Sequence, residues 1–135
     1  MTAKVEIHVP INSDSDIVTA RQQGRALAKQ AGFGDTDLTV ISTAISEVAR
    51  NIVEHAISGE IILSITNNGG NPGLIVIARD DGPGIANISL AMQDGFSSGK
   101  GLGLGLPGTR RLMDEFEITS EPGSGTTVVM KKWRL

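Results

Sequence analysis

Glu47, Asn51 and His55 recur at every fourth position of the sequence. On a helix that spacing draws them into one polar stripe, beside an apolar stripe of Leu38, Ile41, Ile45, Val48 and Ile52. A carboxylate and an amide one turn apart can share a reaction. The amide oxygen is a neutral, hard ligand that suits magnesium, an ion that keeps several waters and prefers substrate phosphates. The carboxylate can take a proton from an attacking hydroxyl. Taken alone, such a stripe is more often a solvated helix face.

A second cluster, Asp80-Asp81-Gly82-Pro83-Gly84-Ile85, directly follows a strand-like run. A carboxylate ending a strand can accept a hydrogen bond from an adenine amino group. Gly82 and Gly84 would let the main chain approach a flat base without side-chain clash. The same residues also spell a plain turn. In a third cluster, residues 99–108, Gly101, Gly103 and Gly105 alternate with leucine and the run leads into a helix. Glycine-rich loops at helix N-termini bind phosphates through main-chain N–H groups and the helix dipole. Residues 103–108 formally satisfy G-x-G-x-x-G, but no strand precedes them, so the dinucleotide fingerprint lacks its context; the pattern G-x-x-x-x-G-K-[ST] is absent. In the fourth cluster, Gly123-Ser-Gly-Thr126-Thr127, the Thr126 hydroxyl is placed to support the Asp80 carboxylate, directly or through water. By itself this cluster reads as a hairpin turn.

The elements that must position these clusters follow from periodicity. Val5, Ile7 and Val9 alternate with Lys4, Glu6 and His8, which predicts a strand that Pro10 ends. Residues 13–31 read as a helix capped by Ser13 or Asp14 and stopped at 32–34, and residues 35–56 as a second helix closed by Ser58-Gly59. Strands at 60–66 and 74–79 flank a turn cluster at 67–73, and 80–85 is a tight turn. Residues 88–93 suggest a short helix, 94–105 a mobile loop, and 106–114 a helix with Pro107 in its first turn. Strands at 116–120 and 126–133 form a last hairpin. The order β-α-α-β-β-α-β-β predicts an α/β (α+β) two-layer sandwich. Its sheet is expected to be mixed and mostly antiparallel, with the helices on one face, and residues 1–135 to make one domain.

Composition narrows the function classes. With 39% hydrophobic and 20% charged residues the chain is an ordinary globular domain, and with 3% aromatics its core must rest on Ile, Leu, Val and Ala. A net charge of -3 without a basic run argues against nucleic acid as the main partner. Main-chain amides can still bind phosphate on an acidic protein. The absence of cysteine excludes disulfides, thiolate metal sites and cysteine nucleophiles, and His8 and His55 are too far apart in sequence to suggest zinc. No apolar run reaches membrane-span length and the first ten residues lack a signal-peptide core, so the expected location is the cytoplasm, away from membranes.

In combination the four clusters are specific. The order Glu47-x-x-x-Asn51, Asp80-x-Gly-x-Gly84, Gly101-x-Gly-x-Gly105 and Gly125-Thr126 resembles the GHKL superfamily of ATPases and kinases, with its Bergerat-type ATP-binding fold. The glutamate before the asparagine, with His55 after it, resembles the branch of anti-sigma factor serine kinases. The runs at 16–37, 41–52, 80–85, 94–116 and 123–128 are similar to the RsbT-like family of stressosome switch kinases. The likeness spans nearly the whole chain and is thin only in the first dozen residues and at 67–73.

That resemblance implies roles. Asn51 would bind Mg2+ through the ATP phosphates, and Glu47 would be the catalytic base or orient the acceptor hydroxyl. Asp80 would hold the adenine amino group, Gly82 and Gly84 would shape the adenine pocket, and Thr126 would back up Asp80. Gly101, Gly103 and Gly105 would lie along the phosphates in a short lid. The D-x-G-x-G register favours Asp80 over Asp81 as the adenine carboxylate. The family implies a serine/threonine protein kinase acting on STAS-domain scaffold or antagonist proteins, and a second role in binding and activating a downstream phosphatase. The alternative is a nucleotide-controlled binding module with little kinase activity. A detached histidine-kinase catalytic domain would need a phosphoacceptor histidine on a helical hairpin, which this sequence has no room for. An acceptor protein must dock beside the pocket, and the candidate contacts are Arg21 and Arg25 on the first helix and Phe96 and Lys100 near the lid.

Overall fold

The computed structural model of the protein describes residues 6–56, 58–84 and 105–134. Its elements run β1 (Glu6–Ile11), α1 (Asp14–Gln30), α2 (Asp35–His55), β2 (Gly59–Asn68), β3 (Asn71–Asp80), α3 (Gly105–Leu112), β4 (Glu115–Glu121) and β5 (Gly125–Trp133). The expected short helix at 88–93 and the loop at 94–104 lie outside the described residues. The strands form one five-stranded sheet in the order β1-β2-β3-β5-β4. The sequence suggested a mixed sheet; every neighbouring pair among the described residues is antiparallel. Two hairpins supply β2–β3 and β4–β5, and β3 and β5 then pair side by side in opposite directions.

Local chemistry explains the boundaries. Asp16 reaches back to accept from the main-chain N–H groups of Asn12 (2.8 Å) and Ser13 (3.1 Å), which fixes the start of α1. At its end Phe33 N donates to Ala28 O and Gly32 N to Lys29 O, with Gly32 at φ 95, a left-handed stop that exposes no side chain to strain. Pro10 does not end β1. That strand is an edge strand, so a missing N–H is tolerated, and pairing continues to Ile11 opposite Gly59. The turn expected over 67–73 is also shorter. Asn68 pairs Asn71, and only Gly69 and Gly70 turn the chain, both at positive φ as a two-residue hairpin with strand-matched twist requires.

Strand alternation divides the sheet into two faces. Val9, Ile61, Ala78, Val128 and Ile118 share one row, and Ile7, Leu63, Val76, Met130 and Phe116 the next. These rows belong to the core, together with Ile17, Ala20 and Leu27 of α1 and the apolar stripe of α2. Leu38, Ile41, Ile45, Val48 and Ile52 are all 2% exposed or less. Each such side chain stabilises the fold by about 1.5–3 kcal/mol relative to exposure. Gly24 sits mid-helix, where glycine is unfavourable, because a Cβ there would strike the Ile45 Cδ1 methyl. The close approach of α1 to α2 thus depends on one missing methyl. It holds α2 firmly over the sheet.

Candidate active site

Asp80 is the last residue of β3 and shares its face with Leu74, Val76 and Ala78, the side covered by helices. Its Oδ1 accepts two main-chain bonds, from Gly82 N at 2.9 Å and Thr126 N at 3.2 Å. Among the described residues no donor reaches the other oxygen, Oδ2, which leaves a full acceptor on a carboxylate that cannot swing. Asp81 is engaged elsewhere. Its Oδ1 accepts from Ser58 N (3.3 Å) and its Oδ2 from Ser58 Oγ (3.1 Å), so it ties the turn to the α2–β2 connection.

The turn after Asp80 is packed on two sides. A Cβ on Gly82 would lie 2.9 Å from both the Ala56 Cβ and the His55 carbonyl, at the end of α2. Gly84 has φ +79, and a Cβ there would overlap the Glu121 carbonyl in the β4–β5 turn. Gly123 N donates to Pro83 O at 2.7 Å on the same side. The Asp-Gly-Pro-Gly run is therefore wedged between the end of α2 and the last hairpin, which is why it cannot carry side chains at Gly82 and Gly84.

Thr126 supports Asp80, but not by the expected group. Its main-chain N–H makes the bond, while its Oγ1 pairs with Ser120 Oγ at 2.8 Å. Ser120 also donates to Gly125 O at 3.1 Å. The β4–β5 register puts Ser120 directly opposite Thr126, and the hydroxyl pair fixes the strand from which the Thr126 N–H points. Sequence reasoning missed Ser120; the signal was a serine and a threonine at mirrored distances from the Glu121–Gly125 turn.

On α2, Glu47 is 7% exposed, and its Oε1 is buried without a hydrogen-bond partner. One oxygen of this carboxylate is thus withheld both from water and from any hydrogen-bond donor, an exception that calls for a functional explanation. Asn51, one turn on, is half-buried, and His55 is exposed, with Nε2 3.9 Å from Glu54 Oε2. Helix α3 packs against α2 and begins at Gly105, whose φ is +57. Leu106, Pro107, Gly108 and Thr109 are buried, and Thr109 Oγ1 donates to Gly105 O at 2.8 Å. The first turn of a helix has N–H groups without intrahelical partners, which suits an anion. Gly101, Gly103, Phe96 and Lys100 lie outside the described residues; Arg21 and Arg25 are exposed on α1. No group of histidine and acidic side chains among the described residues is arranged to hold a metal by itself, so a metal here would lean on the amide of Asn51 and on ligand phosphates. No helix among them is long and apolar enough to cross a membrane.

A five-stranded antiparallel sheet with helices on one face, and a fixed carboxylate at the end of a central strand, defines an α+β two-layer sandwich. The sequence profile of the histidine kinase-like ATPase domain matches residues 12–132, and the chain belongs to that family. The serine/threonine-protein kinase RsbT of Bacillus subtilis (strain 168) is 51% identical over 125 residues, which is 93% of this chain and 94% of that protein. An anti-sigma F factor of Clostridium kluyveri is 36% identical over 100 residues, 71% of this chain and 70% of that one. Among solved structures, the RsbU and RsbW domains of a Mycobacterium tuberculosis protein superpose with a TM-score of 0.64 at 27% identity, over 99% of this chain and 34% of that chain. The mycobacterial sensor histidine kinase MprB gives 0.58 at 14% identity over 97% of each chain, a likeness of fold alone. Within its family this protein is an RsbT-like serine/threonine kinase homologue with an ATP-binding domain.

Proposed function

We propose that the chain transfers the γ-phosphoryl group of ATP to a serine or threonine of a STAS-domain partner protein, as one step of a bacterial partner switch. The observation that carries this reading is Glu47: a buried carboxylate oxygen without a partner, on the helix that also bears Asn51. A structural carboxylate would be paired or exposed; a general base must be free to receive a proton. In this reading Asp80 Oδ2 accepts from the adenine amino group, and the turn that Gly82 and Gly84 allow shapes the adenine pocket. The first turn of α3, from Gly105, faces the phosphates, with Gly101 and Gly103 preceding it. The Asn51 amide oxygen would hold a magnesium ion, which would supply charge neutralisation when bound. Glu47 then takes the acceptor's hydroxyl proton as its oxygen attacks the γ-phosphorus and ADP departs.

The partner class rests on the 51% likeness to RsbT and on the structural likeness to a chain that carries RsbU and RsbW domains. The same likeness supports a second task, binding and activating a downstream phosphatase once the phosphorylated partner lets go. Arg21 and Arg25 on α1, with Phe96 and Lys100, are the proposed docking contacts. The likeness to an anti-sigma F factor favours one rival, a nucleotide-controlled binding module with little transfer activity. Incubation with γ-labelled ATP, magnesium and each purified STAS-domain protein of the source organism tests the choice. Label on a serine or threonine, lost with Glu47→Gln, is the expected result. Nucleotide-dependent binding without label on any of them would leave the binding module in its place.

A further inference from the structure

Arg50 precedes Asn51 on α2 and lies three residues beyond Glu47. It is half-buried, and its Nε is buried without a hydrogen-bond partner, the same condition as Glu47 Oε1. These are the two such side-chain atoms among the described residues. Opposite charges at i and i+3 on a helix are within reach of one another, yet Glu47 Oε1 and Arg50 Nε do not partner each other. Glu54, four residues on, has its ion pair with His55. The helix thus carries two buried polar atoms, three residues apart in sequence, that do not satisfy one another and that a ligand can satisfy.

Their order around the helix indicates what arrives. Successive residues step by about 100°, so with Glu47 at zero Asn51 lies about 40° to one side and Arg50 about 60° to the other. On the Asn51 side, Ile52 turns to the sheet, where its Cγ2 and the Asp80 Cβ both border Gly59. The arc therefore runs from Asp80 at the sheet, through Asn51 and Glu47, to Arg50. In the reading above, the first three are the adenine, phosphate and transfer positions. Arg50 lies beyond the transfer position, on the acceptor's side.

We propose that Arg50 grips the acceptor protein's reacting side chain and holds the phosphoryl group after it has moved. The inference rests on the kinase reading above. As the acceptor oxygen bonds to the γ-phosphorus and the bond to the ADP oxygen breaks, the hydroxyl proton passes to Glu47. The new phosphate monoester, with about -1.5 to -2 charges, is then formed beside an acidic side chain on an acidic protein. A guanidinium fork matches phosphate oxygens through parallel N–H bonds, which a lysine cannot reproduce. Arg50 is thus an acceptor-binding residue of the transfer step, separate from the nucleotide contacts.

The test uses the full chain and the STAS-domain protein that accepts label in the assay above. Arg50→Met keeps the stem and removes the donors; Arg50→Lys keeps the charge and removes the fork. The expected result for Arg50→Met is a 10- to 100-fold fall in kcat/KM for the acceptor protein, the range of a lost charge-assisted hydrogen bond. ATP affinity should stay within about twofold, thermal stability should be unchanged or higher, and Arg50→Lys should fall in between. The phosphorylated acceptor should also leave the ADP-bound Arg50→Met variant faster than it leaves the wild type. Unchanged kcat/KM in both variants overturns the assignment. So does a parallel loss of ATP affinity, which would make Arg50 a structural residue of α2. If the wild type labels no acceptor, the kinase reading itself fails and takes this one with it, a result visible before any variant is made.

Discussion

The main-chain N–H of Thr126 donates to Asp80 Oδ1 at 3.2 Å, joining the start of β5 to the end of β3 across 46 residues of sequence. Gly82 N reaches the same oxygen from the following turn at 2.9 Å. Two main-chain donors on one oxygen fix the carboxylate rotamer and leave the other oxygen without a donor among the described residues. A side-chain support would have been another moving part. Here the bond is built into the sheet, and the Ser120–Thr126 hydroxyl pair serves only to hold the strand.

From this arrangement Asp80→Asn should weaken ATP binding by 10- to 100-fold, since a charge-assisted bond is worth about 1.5–3 kcal/mol. An asparagine can also turn its amide nitrogen toward the two main-chain donors, which would break the support as well. Asp81→Asn should change affinity little, because that carboxylate serves Ser58 at the surface. Titration calorimetry of both variants checks the ranking, and a larger effect at Asp81 would mean that the wrong aspartate has been placed in the pocket.

Glu47→Gln should separate chemistry from both binding and folding. Transfer should fall about 10²–10⁴-fold, the usual contribution of a general base. ATP affinity should persist. Because Glu47 Oε1 is buried without a partner, replacing the charge with an amide should leave thermal stability equal or higher, as expected for a group kept for activity at the expense of the fold. A destabilised variant would show instead that the carboxylate has a structural partner.

The sequence disclosed most of the scaffold because two signals agreed in most elements. The stripe Leu38, Ile41, Ile45, Val48 and Ile52 has helical period, and all five residues are in the core. The hairpins were legible from their glycines, yet the extent of β2 and β3 was not. Asn67, Asn68, Asn71 and Pro72 are turn-forming residues that the sheet recruits as strand ends, since a Gly-Gly turn alone suffices. In the same way Pro10 stays in β1 because an edge strand can do without one N–H. Gly24 owes its place in mid-helix to Ile45, a neighbour on another helix. Long-range facts of this kind, such as the Thr126 N–H on Asp80, depend on which strands are neighbours, and local periodicity carries no record of that.

Gly84→Ala should damage the site through the backbone. The position has φ +79, and its Cβ would overlap the Glu121 carbonyl. A left-handed conformation for an L residue costs about 1–3 kcal/mol before any clash. The turn must then shift away from the β4–β5 hairpin and carry Gly82 off Asp80. The expected outcome is a lowered melting temperature together with lost ATP affinity. By contrast Gly69→Ala, in a turn where a Cβ meets nothing within 4 Å, should lower stability only through its positive φ and leave ATP binding intact.

The last prediction concerns the other face of the sheet, where Glu6, His8, Glu60 and Arg79 form a chain of charges across β1, β2 and β3. His8 Nε2 lies 2.7 Å from Glu6 Oε1 and its Nδ1 3.2 Å from Glu60 Oε2, while Arg79 binds the other Glu60 oxygen. Only the doubly protonated ring can donate to both carboxylates. The hydrogen bonds to Glu6 and then Glu60 therefore raise the His8 pKa above its ordinary 6.5. Arg79 first, and His8 second, lower that of Glu60 below its ordinary 4.5. A raised histidine value adds stability that is complete below the unfolded pKa and disappears as pH rises through the folded one. A lowered carboxylate value adds stability that is complete above the unfolded pKa and disappears as pH falls through the folded one. Both contributions are thus fully present between pH 4.5 and 6.5. His8→Gln should therefore show its largest stability deficit in that window and converge on the wild type at alkaline pH, with a deficit that shrinks as salt is added. Denaturant melts across pH, with the His8 ring resonances followed by NMR, supply the check. A His8 midpoint at or below 6.5 would show that the ring is not held between the two carboxylates.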